Sequence, residues 1–139
     1  ARAAAAREPT ERSAEKAGPG WSPADLKRTL ESFAQIPGVR LAALVDREGF
    51  VIEALGDQVI SADLPAALAS CLAESSSGIG EELGQGTLAG ILLEYDRGIV
   101  SLHAVAASAI LVIVISDPAV LGKVRYYVKK ILPDLLRVI

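Results

Sequence analysis

The sequence has one cysteine, one histidine, no methionine and no asparagine, and aromatic residues make up only 4% of its 139 positions. Each shortage excludes something. A lone thiol, Cys71, cannot close a disulfide within the chain and suits a reducing, cytoplasmic setting. One His and one Cys cannot together assemble a zinc site. His103 lacks the partners of a general base, and on an alternating strand it reads as a hydrogen-bonded structural residue. Cys71 lies among Ala and Ser with no basic neighbour to activate it, so a buried, inert thiol is expected. No glycine-rich loop is followed by Lys-Ser or Lys-Thr, so the chain has no phosphate cradle of its own. The net charge of −3 leaves no basic footprint for nucleic acid. No catalytic residue, no metal and no cofactor is therefore expected, and the chain does not read as an enzyme.

What is abundant is aliphatic. Hydrophobic residues make up 51% of the chain, so Leu, Ile, Val and Ala must build the core. From Gly98 to Ser116 nineteen residues pass without a charge. As one element that run would be long enough for a membrane helix, which takes about 18 or more apolar residues. It does not read as one element. Ser101 and His103 interrupt its first half, Ala106-Ala107-Ser108 suits a turn, and Ala109–Ile115 is rich in β-branched residues. Two buried strands fit better, the second apolar on both faces and therefore interior to a sheet.

Residues 1–20 mix Ala, charges, Pro9 and Pro19 without an apolar stripe or a continuous secretory-type segment, and are expected to form a flexible arm before one domain, 21–139. Ser22-Pro23 with Asp25 marks the start of a first helix whose Leu26, Leu30 and Phe33 share a face. Pro37-Gly38 stops it. Val39–Val45, an Asp46-Arg47-Glu48-Gly49 turn and Phe50–Leu55 then read as a hairpin. The second helix is expected from about Ala62 to Leu83, with Ser61 or Asp63 as cap and Leu64, Leu68, Leu72, Ile79 and Leu83 as its buried stripe. Its other positions are almost all small. Gly78 and Gly80 cost roughly 1 kcal/mol each against Ala within a helix, which close approach of another helix or fraying would explain.

The run Gly78–Gly86 mimics a dinucleotide fingerprint, but it ends a helix where the fingerprint must open one. Leu88–Tyr95 reads as a third strand, and Asp117-Pro118 as the start of a last helix. That helix has a buried stripe of Leu121, Val124, Val128, Ile131 or Leu132, and Leu135, and a basic face of Lys123, Arg125, Lys129, Lys130 and Arg137. Pro133 is expected to kink or end it. The order is α-β-β-α-β-β-β-α.

This order resembles the roadblock/dynein light chain family. The resemblance spans residues 22–139 and is carried by Ile36-Pro37-Gly38-Val39, the Asp46–Gly49 turn, the small-residue second helix, Gly86-Thr87-Leu88 and Leu121-Gly122-Lys123-Val124-Arg125. The last of these is most like the bacterial members, which include gliding-motility regulators of a Ras-like GTPase. The resemblance implies an α+β fold of three layers (α/β/α), with a five-stranded antiparallel sheet in the order 2-1-5-4-3. It also implies a homodimer joined through the third strands and second helices, with Ala69, Leu72, Ala73, Ser76, Leu88, Leu92 and Tyr95 at the interface. A Ras-like small GTPase would dock on the outer face of the second helices, at Ala66, Ser70, Glu74 and Ser77. Two other roles fit the same residues: a scaffold or adaptor subunit of a motor or signalling complex, and a small-molecule sensor domain. The scarcity of polar groups around a credible pocket counts against the sensor. An apolar third strand left as a bare edge would be an aggregation hazard, which independently favours its pairing.

Overall fold

The computed structural model describes residues 23–57, 61–105 and 108–138. The elements are α1 (Pro23–Ala34), β1 (Val39–Asp46), β2 (Val51–Gly56), α2 (Asp63–Glu82), β3 (Gly90–Tyr95), β4 (Gly98–Val105), β5 (Ala109–Ile115), a 3-10 turn (Pro118–Val120) and α3 (Leu121–Val138). The five strands form one sheet in the order β2-β1-β5-β4-β3, every neighbouring pair antiparallel. The flexible arm expected over residues 1–20 and the Ser22 cap lie outside the described residues.

The uncharged run divides into β4 and β5, and among the described residues no helix is long and apolar enough to cross a membrane. β5 lies between β1 and β4, and six of its seven residues are buried. An aliphatic strand covered on both faces has no reason to alternate. β1 distributes its side chains by parity. Ala42 and Leu44 join the core under α1 and α3, with Leu30, Phe33, Leu111, Ile113 and Val124. Ala43 and Val45 join the core under α2, with Ala66, Ala69, Ala73, Ile110 and Val112. Leu26, Leu30 and Phe33 of α1 are all buried as their spacing requires. Phe33 meets Tyr127 of α3 edge to face, with ring centroids 6.4 Å apart, and so ties the two helices of that layer.

Several local expectations change. α2 has Ala62 at its cap position with no side-chain cap; the Ser61 hydroxyl accepts the Asp63 N–H at 3.4 Å. Pro133 does not end the last helix, which continues to Val138. The start of that helix is as expected in kind: Asp117 Oδ1 accepts the Ala119 N–H at 3.0 Å and Pro118 opens the turn. β3 begins at Gly90, leaving Leu88 half-buried ahead of it.

The largest correction concerns α2. Three members of its expected buried stripe are turned outward, Leu68 55% exposed, Ile79 61% and Leu83 66%, while Leu72 is half-buried against the core. The residues facing the sheet are the small ones. An alanine face lets a helix lie close to a sheet that β-branched residues already fill, so size alone misassigned the faces.

Candidate protein-interaction surface

The β1–β2 turn fixes where α2 lies. Asp46 is buried, and its Oδ1 accepts the N–H groups of Glu48 at 2.9 Å and Phe50 at 3.0 Å. This closes the Asp46–Gly49 turn with a carboxylate, an Asx device. Gly49 has φ +95°, and a Cβ there would lie 3.1 Å from the Cα of Ala67. Only glycine gives both that conformation and that approach. The Ser70 hydroxyl then donates to the Arg47 carbonyl, pinning α2 over the turn.

The eleven residues named from the sequence separate into groups. Ala66, Ala69 and Ala73 face the chain's own sheet. They are 1%, 2% and 3% exposed. Ser70 and Ser77 are half-buried, and both hydroxyls are committed to backbone carbonyls, Arg47 and Ala73 respectively. Glu74 is exposed, Ser76 is half-buried, and Leu72 borders the α2 core beside Leu88 and Ile91. Cys71, expected buried, is exposed.

What sequence reasoning missed are Leu68, Ile79 and Leu83. With Leu72, which packs in one cluster with Leu88 and Ile91, they share one flank of α2 by helical spacing. The signal was present, since that spacing is regular, but it was assigned to the inside. The glycine-rich end behaves as a helix stop: Gln85 N–H donates to the Gly80 carbonyl at 2.8 Å, and Gly84 and Gly86 have φ +66° and +90°.

β3 is bonded to β4 alone, and its outer side is free of any strand among the described residues. Ala104 N–H donates to the Ala89 carbonyl at 2.9 Å. With the register fixed, Ile91, Leu93 and Tyr95 turn their backbone groups to β4, and Leu92 and Glu94 turn theirs outward. Tyr95 is 63% exposed at the end of this edge.

On the opposite face of the sheet from α2, a cleft of about 380 Å³ opens between β3, β4 and α3. Ser101 and His103 of β4 lie in it, hydrogen-bonded to each other, with Arg125 and Lys129 of α3 beside them. Burial, and after it the Arg125 charge, lowers the His103 pKa from 6.5 to about 4, so the ring is neutral at neutral pH. Among the described residues no three His, Cys, Asp or Glu side chains are grouped to hold a metal ion.

An edge strand with no neighbour among the described residues and exposed leucine and isoleucine side chains on α2 are features of a protein-interaction surface. The Roadblock/LC7 domain model matches residues 25–115, from α1 to the end of β5. The chain belongs to the Roadblock/LC7 family. Its fold is also that of several solved structures. Myxococcus xanthus MglB superposes with a TM-score of 0.77 at 20% identity, over 83% of this chain and 87% of that one. The gliding protein MglB from Thermus thermophilus gives 0.71 at 25%, over 94% and 90%. An MglB with a tetrameric arrangement gives 0.70 at 25%, over 94% and 89%. No curated protein sequence matches the chain. The α+β architecture and the strand order implied by the resemblance are those observed.

Proposed function

We propose that this Roadblock/LC7 chain is a cytoplasmic regulator or binding platform for a Ras-like small GTPase, and that it works as a homodimer joined along β3. The carrying observation is the aliphatic flank of α2: Leu68, Ile79 and Leu83 are exposed, and β3 is an apolar edge with no neighbour among the described residues. A monomer has no use for that arrangement, and grouped exposed apolar side chains mark interaction surfaces. Pairing two β3 edges would bring two α2 helices side by side, with Leu72, Leu88, Leu92 and Tyr95 near the junction and Glu74 and Ser76 available on the helices. Similarity to the MglB structures supports this reading, as does the resemblance to bacterial regulators of Ras-like GTPases.

The protein would act by positioning the GTPase's own switch residues, since the described residues group no three His, Cys, Asp or Glu side chains. Single-turnover GTP hydrolysis and nucleotide exchange by a Ras-like GTPase from the same genome test the proposal. Addition of this protein should change one of the two rates, and Leu68→Asp with Ile79→Asp should abolish the change. Unchanged rates together with failure to co-elute would overturn it.

A further inference from the structure

We infer that Glu94 of a second copy enters the cleft between β3, β4 and α3 and pairs there with Arg125 and Lys129. The inference rests on the edge-to-edge dimer proposed above and supplies its register.

The cleft is charged on one side only. Arg125 and Lys129 stand one turn apart on α3, both exposed, and no carboxylate lines the space they share. Among the described residues no ion pair joins Arg125 or Lys129 to a carboxylate. Like charges spaced i, i+4 cost a helix a few tenths of a kcal/mol, which an arriving anion would reverse.

The rim of the cleft carries no side chain at one position, a notch at Gly90. Gly90 forms part of the wall, and a Cβ at that position would lie 2.8 Å from the Leu102 carbonyl oxygen. No side chain of this chain can occupy that notch from position 90.

Glu94 has the right parity and the wrong end. It is opposite Ile99 on β4, as Gly90 is opposite His103, so both lie on the α3 side of the sheet. Within one chain Glu94 is four residues further on, roughly 13 Å along the strand at about 3.3 Å per residue. Antiparallel pairing about a two-fold axis exchanges the ends. If Leu92 faces Leu92 of the second copy, Glu94 of each copy lies opposite Gly90 of the other. Opposed residues share a face, so each carboxylate then sits at the notch, directed toward Arg125 and Lys129. Gly90, Leu92 and Glu94 share the parity that turns backbone groups outward, so this register also forms hydrogen-bonded pairs.

Sedimentation equilibrium of the full chain, with charge exchange, tests this. Glu94→Lys and Arg125→Glu should each raise the dimer dissociation constant by about tenfold or more, and the two together should return it to within about threefold of wild type. Both residues are exposed, so melting temperatures should confirm intact folds. A wild-type dimer that ignores both single changes, or a double variant showing only their sum, overturns the inference and leaves the dimer standing. A wild-type protein that stays monomeric overturns the dimer and the inference with it.

Discussion

Ser70 on α2 donates its hydroxyl hydrogen to the backbone carbonyl of Arg47, 23 residues earlier, across the seam between helix and turn. The sequence marked Ser70 as a residue offered to a partner, and the structure shows its only polar group already engaged. Ser70→Ala should therefore weaken the fold by about 1 kcal/mol, the ordinary worth of one such bond. The midpoint of urea unfolding reads it. A loss of a few tenths or less would mean that water serves the Arg47 carbonyl equally well.

The two sides of α2 should respond oppositely to substitution. Leu68→Asp or Ile79→Asp touches only exposed positions and should shift stability by no more than about 0.5 kcal/mol while removing partner binding. Ala73→Leu adds bulk beneath the helix, where the parent residue is 3% exposed, and should cost about 1–3 kcal/mol. Thermal unfolding beside a co-elution assay separates the two effects. Equal destabilisation on both sides would contradict the assigned orientation.

His103 predicts a dependence on pH whose sign is fixed. Its folded pKa of about 4 lies below the unfolded 6.5, so the unfolded chain binds the proton more readily between those values. Stability from this group is complete above about pH 6.5 and declines as pH falls toward 4, by at most about 3 kcal/mol. The charges facing the ring are Arg125 and Lys129 on α3; Ser101 on β4 is its neutral partner. Urea unfolding across this window should show the slope in Glu94→Gln and lose it when His103→Gln is added. With Glu94 intact the dimer should show a shallower slope, because a carboxylate in the cleft raises the ring's folded pKa.

Hydrogen exchange reads the β3 edge directly. The amides of Leu92 and Glu94 point away from β4, whereas those of Ile91 and Leu93 point toward it. In concentrated dimeric samples all four should be protected, and on dilution Leu92 and Glu94 alone should lose protection. Simultaneous loss at all four would indicate that β3 unfolds rather than separates from a second copy.

The periodicity of the sequence carried most of the fold. Leu26, Leu30 and Phe33 located one face of α1, and the doubly apolar Ala109–Ile115 located the middle of the sheet, because both signals report burial directly. α2 misled for a physical reason. Its leucines and its alanines are equally periodic, and which set faces inward depends on how much room the sheet leaves, which Val45, Ile110 and Val112 decide from elsewhere in the chain. The cleft was harder still. His103 and Arg125 are far apart in sequence and meet only because α3 returns across β4.

Ala66, Ala69 and Ala73 seat α2 on methyl groups, and a methyl has no alternative rotamer to adopt. A push on the outer ridge of the helix therefore meets no rotamer on the helix side to absorb it, and reaches the Val45, Ile110 and Val112 side chains of β1 and β5 directly. Any message this surface relays should travel as tilting of the whole slab, with binding at one α2 altering the posture of the opposite helices while leaving the packing between them intact.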